Sequence, residues 1–481
     1  MRSIVRNFGN NVRFRPRRIY APTSEQEVLD ILAQHRHERI RVMGSRHSWS
    51  PVIESDGVLI DTRYLNGVRA WTDESDQVWA EAGAGCTIKR LVNQLRSKKD
   101  VTIPSMGLIN EQTIAGAIST GTHGSGKSSL SHYVAEVRTA AFDPATGDPK
   151  IFTFNSGDEL RAARCSLGCL GVILSVKLNC VPRYLVQENS RPAESLDDAL
   201  RSEQENPLQQ FFLMPHSWSL QLQQRRAVEF RQRGQISRLA NLYRLYWHLW
   251  IDITFHSLVK LFAAVLRSRW LVQFFYRRLM PRLVINRWCV TDFSEKMLVM
   301  EHEMFRHLEL ELFVARPKLD STLDFLGEML KWFDAQPNDI QTKWRSRLVE
   351  LGLWEQAEQL RGSYTHHYPI CIRRVEADDT LISMSSPLTG EADGAEDWYA
   401  ISMITYVEPR DAFFAAVHFL ALSTIRLFDA RLHWGKHLPV SLNEIELVYP
   451  RLARFREICS QVDKHGVFRN EFVNRLLGFE R

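Results

Sequence analysis

A short run near the amino terminus, Arg41-Val42-Met43-Gly44-Ser45-Arg46-His47-Ser48, carries residue types that could bind an anion and do chemistry beside it. Residues 40–43 are typical of the end of a buried strand, and Gly44 with the small Ser45 allows a tight turn whose backbone amides face a phosphate. The run has neither the Gly-Lys-Ser/Thr of a Walker loop nor the glycines of G-x-G-x-x-G. His47 follows the turn. A histidine at this place could be a metal ligand, a proton carrier or the site of a covalent bond, and the turn alone does not distinguish these roles.

Two further glycine-bearing runs follow. Pro104 to Gly126 contains five glycines and several small hydroxyl residues, which suit a backbone lying flat against a large planar ligand and its phosphates. A mobile surface loop is the alternative, but Ile114 and Ile118 make this run too apolar for a solvated linker. The third run, Cys165 to Leu178, is a glycine-punctuated turn that enters a strand. Three such segments within one domain's length predict a nucleotide-binding unit.

The gross composition is that of a globular protein. The chain has 481 residues, 44% hydrophobic and 24% charged, so two or three domains are expected. A net charge of +5 is too small to demand nucleic acid, and we predict no nucleic-acid partner. Seven cysteines without a paired C-x-x-C spacing predict mostly buried free thiols and no metal site. The basic first residues, Met1 to Asn7, have no apolar run behind them, so an intracellular protein is expected.

The first half reads as alternating helices and strands that carry the glycine runs. Ser24 as N-cap with Glu27 three residues later predicts a helix before the strand that ends at Gly44. Further strands are predicted at 57–61 and 77–82, and a helix at 87–95. Pro182 ends a strand and a helix is predicted from residue 194, so a domain boundary is expected near 182.

Residues 231–287 form a basic and strongly apolar insert. Aromatic and aliphatic residues there are interrupted by ten arginines and Lys260, and Asp252 is its single acidic residue. No uncharged run reaches the ~18 residues that a spanning helix needs, so a transmembrane segment is disfavoured. Amphipathic helices lying in a membrane surface are one interpretation. The other is a helix pair buried against the protein, with arginine stems reaching outward.

The second half contains two further elements of interest. Leu308 to Val314 alternates as a strand, and 317–333 is predicted to be a helix. A strand within 368–379 places Cys371, Arg373 and Val375 on one face, because successive side chains alternate across a strand.

The three glycine runs, in this order and spacing, resemble the flavin domain of the vanillyl-alcohol-oxidase superfamily. The branch that looks most similar is the sugar-lactone and alditol oxidases, above all the L-gulono- and D-arabinono-1,4-lactone oxidases. The resemblance covers essentially the whole chain. It implies an α+β fold of two lobes, with a PCMH-type FAD-binding domain and a cap domain of mixed antiparallel sheet and helices. The implied domains are 1–182, a cap at 183–437 containing the insert, and a segment at 438–481 that returns to the FAD domain.

The resemblance also implies FAD as the cofactor, joined covalently to His47 at the flavin 8α-methyl carbon. A histidine that merely packs beside a non-covalent flavin is the alternative. The implied cofactor-binding residues are Gly44, Ser45, Arg46, His47, Ser48, Gly107, Thr113, Gly116, Thr120, Gly121, Thr122, His123, Gly124, Gly171, Val172, Ile173 and His433.

Catalytic residues follow from the same resemblance. Lys436, in a His-Trp-Gly-Lys run, matches the family's lysine over flavin and substrate, and Arg373 matches its substrate-facing arginine. Gly107 matches the position of the family's gatekeeper residue beside the flavin. Glycine at this position resembles the oxidases, since the missing methyl group opens a path for dioxygen to the flavin. Cys371 stands where relatives have glutamate, and Leu108 where alditol oxidases have serine. Both departures favour a lactone, or a less polar hydroxylated substrate, over a sugar alcohol.

The predicted activity is that of an FAD-dependent oxidase of the D-arabinono-1,4-lactone oxidase type. It would remove a hydride from a carbinol carbon of a lactone-like or polyol-like small molecule and reduce dioxygen to hydrogen peroxide. The catalytic base is left open. The alternatives are a membrane-associated dehydrogenase with a quinone or cytochrome acceptor, and a flavin-binding protein with altered or lost catalysis. The expected location is cytoplasmic or peripheral to a membrane through residues 231–287.

Overall fold

A computed structural model describes residues 4–300, 306–336, 339–387, 395–406 and 409–479. Residues 1–3, on which the expectation about the amino terminus partly rests, lie outside the described residues.

Residues 4–182 build two main sheets. Three parallel strands pair in the order β3-β5-β4, and five antiparallel strands pair in the order β10-β9-β11-β7-β6. The strands are β1 (Val5–Arg6), β2 (Arg13–Phe14), β3 (Arg18–Tyr20), β4 (Ile40–Met43), β5 (Val58–Asp61), β6 (Val68–Thr72), β7 (Val78–Gly83), β8 (Val101–Thr102), β9 (Val134–Phe142), β10 (Pro149–Phe154), β11 (Val172–Asn179) and β12 (Val181–Pro182). The helices are α1 (Glu25–Gln34), α2 (Ile88–Lys99), α3 (Ile114–Ser119) and α4 (Gly157–Arg164).

These bounds confirm the predicted elements of the first half. The Ser24 side chain accepts from Glu27 N at the start of α1, as the capping pattern predicts. The apolar centre of the long glycine run folds as α3, a helix that the sequence analysis did not predict. Thr113 caps that helix, and Ile114 and Ile118 are buried in the core.

The second lobe is one antiparallel sheet of eight strands in the order β16-β13-β15-β14-β18-β19-β17-β20. Its strands are β13 (Tyr184–Ala193), β14 (Gln210–Leu213), β15 (Leu220–Glu229), β16 (Val290–Phe293), β17 (His307–Ala315), β18 (Ile370–Val375), β19 (Trp398–Tyr406) and β20 (Arg431–Leu432). The predicted strands at 308–314 and within 368–379 are therefore confirmed as β17 and β18. The division of the chain at 182 and 437 stays a prediction.

The helices of this half surround the sheet or follow it. They are α5 (Leu196–Glu205), α6 (Ala240–Tyr246), α7 (His256–Lys260), α8 (Arg269–Phe274), α9 (Met280–Leu283), α10 (Ser294–Met297), α11 (Leu319–Phe333), α12 (Thr342–Glu350), α13 (Trp354–Gln359), α14 (Asp411–Phe428), α15 (Leu442–Val448), α16 (Leu452–Val462) and α17 (Glu471–Leu477). The stretches Trp247–Phe255, Leu261–Val265 and Phe275–Leu279 are wound as π-helix.

The insert is helical and packs against the protein on one side. We call Ala240–Val265 the insert helix. Phe255 and Val259 are buried in a cluster with Phe275 of the following helix and with Met214 and Tyr368 near the sheet. One side of the insert is therefore buried against the protein, while many of its apolar side chains remain exposed. Contact of the insert with a membrane surface stays a prediction.

Two described helices are long and apolar enough to cross a membrane by length and composition alone, the insert helix and α14. This differs from the sequence expectation, which counted uncharged runs only. In α14, more than half of the 18 residues of the apolar stretch are buried, as in a helix of a protein core. In the insert helix, only 11% of the residues of the most apolar 18-residue stretch are buried.

The carboxyl-terminal segment packs against the first lobe. Ile40 N donates to Val467 O at 2.9 Å, and Asn470 Nδ2 donates to Pro51 O at 2.8 Å. Arg41, buried under the glycine turn, donates to the carbonyls of Val52 and Phe468, and to Leu167 O at 2.8 Å. The guanidinium of Arg41 therefore connects β4, the third glycine run and the carboxyl-terminal segment that packs on the first lobe.

Candidate active site

A cavity of about 500 Å³ reaches from the glycine turns of the first lobe to one face of the large sheet and to the insert helix. This volume lies within the usual range for small-molecule and cofactor sites. Its walls combine backbone and hydroxyl groups at one end with charged and aromatic side chains at the other.

The turn at Gly44 lines the cavity, and the structure shows why glycine is needed at this position. A Cβ atom at Gly44 would overlap Oγ1 of Thr113, so glycine permits two cavity segments to touch. The left-handed residue of the turn is Arg46, with φ of 63°. Gly44 is therefore required for close approach and not for its backbone angle.

Most residues implied by the resemblance line the cavity together. They are Gly44, Ser45, Arg46, His47, Ser48, Gly107, Thr113, Gly116, Thr120, Thr122, His123, Gly171, Ile173, Cys371, Arg373, His433 and Lys436.

Three expected cofactor residues are not part of this lining. A Cβ at Gly121 would lie 2.8 Å from Met384 Cε, and a Cβ at Gly124 would overlap the carbonyl oxygen of Met106. Val172 is buried inside β11. Direct cofactor contact by these three residues stays a prediction.

The donor set at the first-lobe end fits a dinucleotide. Ser45, Ser48 and Thr120 bring hydroxyl groups, and the buried Arg41 adds a positive charge beside the turn. Hydroxyls, backbone amides and a guanidinium are the groups that bind a pyrophosphate. The hydroxyl groups and backbone amides would hold the phosphates of FAD, and Arg41, which donates to backbone carbonyls, would contribute its positive charge.

His47 stands in the same wall and packs against Phe8 at 5.2 Å between ring centroids. Burial lowers the pKa of His47 to about 4. The imidazole is therefore neutral at physiological pH, the form in which a ring nitrogen has a lone pair to bond with.

The face of the large sheet toward the cavity carries the chemistry. Glu311, Ser402 and Cys371 lie opposite one another on β17, β19 and β18. Arg373 is two residues from Cys371 and also lines the cavity, so the predicted shared face of these two side chains is confirmed. Burial raises the pKa of the Cys371 thiol, which is consistent with a neutral S–H.

Glu309 and Glu311 are the site residues that sequence reasoning missed. Both are buried, and both line the cavity from β17. Lys436 forms an ion pair with Glu309, and His123 Nε2 lies 3.3 Å from Glu311 Oε1. The Ser402 hydroxyl lies 2.7 Å from a Glu309 oxygen and 2.9 Å from a Glu311 oxygen. The sequence did contain a pattern that could have identified them: two glutamates lie two residues apart, on one face of a predicted strand whose other residues are mostly leucine.

The pairing keeps both carboxylates ionised. Burial alone would raise the pKa of Glu309, but the Lys436 ammonium outweighs it and the pKa falls to about 2. Burial would also raise the pKa of Glu311, and His123 is the main cause that lowers it well below the usual value instead. The ion pair of Lys436 with Glu309 lies in the cavity wall and not on the protein surface.

His433 contributes a neutral ring. Burial lowers its pKa to about 3, and Gly435 N donates to His433 Nδ1 at 2.9 Å. The proton of the neutral imidazole must then be on Nε2. His433, His123 and Glu311 offer ligand atoms within 4.8 Å of one another. The absence of a metal site stays a prediction.

A buried polar chain links Arg373 to the insert helix. Arg373 Nε donates to Gln210 Oε1 at 3.0 Å, and Gln210 Nε2 donates to Gln223 Oε1 at 2.6 Å. Gln223 in turn donates to Glu188 at 2.8 Å, and the hydroxyl of Tyr243 donates to the same carboxylate. The orientation of Arg373 thus depends on residues of three neighbouring strands and of the insert helix.

Comparison with known proteins agrees with this geometry. A family model described as FAD binding domain matches residues 16–143, and one described as D-arabinono-1,4-lactone oxidase matches residues 176–476. The chain is 46% identical over 474 residues to a long-chain alcohol oxidase from an uncultured marine euryarchaeote, which covers 98% of this chain and 96% of that protein. It is 25% identical over 478 residues to the L-gulonolactone oxidase of Mus musculus, covering 96% and 95% of the two chains.

Solved structures show the same fold. Cholesterol oxidase from B. sterolicum superimposes with a TM-score of 0.74 over 99% of this chain and 97% of that chain, at 15% identity. The fold and the cavity define an FAD-binding oxidoreductase of the vanillyl-alcohol-oxidase type. More narrowly, the chain belongs to the D-arabinono-1,4-lactone oxidase family, whose model covers more than half of its length. The expected family, fold class and FAD cofactor are thereby confirmed.

Proposed function

We propose that this chain is an FAD-dependent oxidase that converts an alcohol with a long apolar chain to the carbonyl compound and reduces dioxygen to hydrogen peroxide. The proposal changes the substrate expected from the sequence, a sugar lactone, and keeps the reaction. One observation carries it: between Cys371 and the insert helix, the cavity wall includes a row of apolar side chains beside the buried polar chain. The name of the 46% identical relative, long-chain alcohol oxidase, supports the same substrate class.

The apolar wall begins directly beside the reactive end. Phe212 lies opposite Cys371 in the sheet, and Ile404, Ile251 and Phe255 continue the lining. A polyhydroxylated substrate would leave hydroxyl groups unpaired against this wall, which is costly when they are buried. An alkyl chain instead gains about 0.8 kcal/mol for each CH₂ removed from water.

A lactone is the second candidate, favoured by the family and by the buried polar chain. Gln210, Gln223, Glu188 and Arg225 line the cavity and could bind ring hydroxyls. These side chains are, however, already hydrogen-bonded to one another, and Arg225 Nε donates to Glu188 at 2.6 Å. A sugar would have to compete with that network.

The reaction needs an orientated hydroxyl and a stabilised oxygen. Bound FAD supplies the hydride acceptor and delivers the two electrons to dioxygen. Lys436 and Arg373 hold the substrate oxygen as negative charge develops on it. Glu309 fixes the Lys436 ammonium in the cavity wall.

Glu311 is the residue that takes the hydroxyl proton in this proposal. Its carboxylate is ionised, lines the cavity and is held by His123 and Ser402. His433 presents its Nε2 proton on the same side. A carboxylate with so low a pKa is a weak base. Glu311 therefore removes the proton with the help of Lys436 and Arg373, whose positive charges stabilise the developing alkoxide.

Chain length should govern activity. For primary alcohols, kcat/KM should rise about fourfold with each added CH₂ until the cavity is filled, because each buried CH₂ adds about 0.8 kcal/mol. L-Gulono- and D-arabinono-1,4-lactone should be poor substrates. Peroxide release in air measures both series. A flat chain-length profile with efficient lactone oxidation would reject the alcohol and favour the second candidate.

Cys371→Glu should move the preference toward polar substrates. The new carboxylate would accept hydrogen bonds from substrate hydroxyls beside Arg373, and it would place a charge against Phe212. The ratio of kcat/KM for a long-chain alcohol to that for a lactone should fall by about tenfold or more. Cys371→Ser, which keeps size and neutrality, is the matched control and should retain the wild-type ratio. An unchanged ratio in Cys371→Glu would contradict the role given to this residue.

Glu311→Gln should bind FAD and lose turnover. Without the proton acceptor, kcat should fall by about 100-fold or more. In the wild type the rate should decrease only below the ordinary carboxyl range, since protonation of Glu311 needs a pH below its lowered pKa. The pH profile of single-turnover flavin reduction measures this limb, which the variant should lack. Glu311→Asp, which keeps the carboxylate, should recover part of the rate, and wild-type turnover in Glu311→Gln would exclude the assignment.

Gly107→Ala should impair reaction with dioxygen more than reaction with the alcohol. A methyl group there would lie 2.6 Å from Thr122 Cγ2, so it would both narrow the cavity and strain its wall. The double variant Gly107→Ala/Thr122→Ser removes the overlapping methyl while keeping the hydroxyl. Stopped-flow reoxidation should stay about tenfold slower in both variants while anaerobic flavin reduction persists. Normal reoxidation in the double variant would contradict the role of Gly107 as a gate for dioxygen.

His47 should carry the flavin covalently. After acid denaturation, yellow colour should remain with the wild-type chain and be lost from His47→Ala, because a neutral imidazole in the cavity wall is the bonding group. His123→Ala removes another histidine of the cavity wall and should keep the colour. Release of all flavin from the denatured wild type would show that the cofactor is held without a covalent bond.

A further inference from the structure

The outer side of the insert is the most apolar part of the described surface. Ten of the fifteen large hydrophobic side chains that are exposed in the described residues lie between 239 and 285, so this surface is concentrated and not scattered. Trp270 is 67% exposed and stacks on the exposed Phe274, at 5.4 Å between ring centroids. We call this surface the insert face. Its members are Leu239, Leu242, Leu245, Leu249, Leu261, Val265, Leu266, Trp270, Phe274 and Ile285.

The positive charge of the chain is concentrated in the same segment. Eleven basic residues and one acidic residue give residues 231–287 a net charge of +10, so with +5 for the whole chain the remainder carries −5. Lys260, Arg267, Arg269, Arg277 and Arg278 are among the basic residues with exposed side chains. A second copy of this chain would bring like charge to the same face and be repelled. An anionic lipid surface matches both the charge and the exposed tryptophan.

The insert helix has a second, inward side. Tyr243, Trp247, Ile251 and Phe255 recur every four residues and line the cavity. Residues four apart lie near one another on the same side of a helix, and Trp247–Phe255 is wound as π-helix. Leu245 and Leu249 of the same helix belong to the insert face. One helix therefore separates the substrate cavity from the proposed lipid surface.

We propose that the insert face docks on an anionic bilayer and that the apolar alcohol passes from the bilayer into the cavity along the insert helix. The inference rests on the proposed function for its substrate, while the docking surface does not. A long-chain alcohol partitions into lipid, so a cavity wall that touches the bilayer receives its substrate without transfer through water. The half-buried Trp247 and Ile251, on the cavity side, would be the first side chains that the alkyl chain meets.

Docking is tested by flotation of the flavin-loaded protein with vesicles of phosphatidylglycerol and phosphatidylcholine, and with vesicles of phosphatidylcholine alone. Wild type should float with the anionic vesicles, less with the neutral ones, and less again at high salt. Leu245→Glu/Leu249→Glu should weaken binding by about tenfold or more, because it places two charges in the apolar side. Val349→Glu/Leu447→Glu alters two apolar residues elsewhere that are more exposed than Leu245 and Leu249, and it should bind as wild type. Absence of flotation, or equal loss in both double variants, would overturn the docking surface.

Passage is tested by activity on two substrates, a short water-soluble alcohol and a long-chain alcohol carried in the anionic vesicles. The Leu245/Leu249 variant should oxidise the short alcohol at the wild-type rate and the vesicle-borne alcohol about tenfold more slowly or worse. Equal oxidation of the vesicle-borne alcohol by wild type and variant would overturn passage from the bilayer. If wild type floats but oxidises neither alcohol, the proposed function fails and passage with it, whereas docking stands.

Discussion

The burial of one guanidinium, that of Arg41, is the constraint on which the cofactor end of the molecule depends. A buried cation is costly unless its donors are satisfied, so the carbonyls of Val52, Leu167 and Phe468 must converge on it. These carbonyls come from the segment after β4, from the third glycine run and from the carboxyl-terminal return. Their convergence holds the turn at Gly44 against Thr113 and forms the floor of the cavity.

At the opposite end, the cavity is organised by balanced buried charge. Glu309 and Glu311 are ionised because Lys436 and His123 face them, and Arg373 is held by the amide of Gln210. Groups fixed in this way need little rearrangement when charge develops on a substrate oxygen, which is the usual source of electrostatic catalysis. Because residue 371 is a cysteine, this polar cluster has no third carboxylate at that position. Phe212, the first residue of the apolar wall, lies opposite Cys371 in the sheet.

The insert illustrates how far a sequence pattern reaches. Its spacing of apolar and basic residues indicated amphipathic helices, and the structure confirms helices. The pattern allowed either a membrane surface or a buried pair. The insert helix has apolar side chains on two sides. Those that face the cavity include Tyr243 and Phe255, and they lie beside Arg244, His248 and Asp252. Periodicity cannot separate two apolar sides of one helix, since both appear as apolar residues at helical spacing.

The sequence by itself determined the local elements, the three glycine runs, and the shared face of Cys371 and Arg373, because turn chemistry, capping and strand alternation act over a few residues. Only the tertiary structure decided which charges meet. In the sequence, Glu309 and Glu311 are ordinary polar residues of an alternating strand. In the structure, β17 pairs with β20, which places Lys436 next to Glu309, and the first lobe brings His123 to Glu311. Such pairing depends on the order of strands in a sheet, and contacts between residues more than a hundred positions apart leave no local pattern to read.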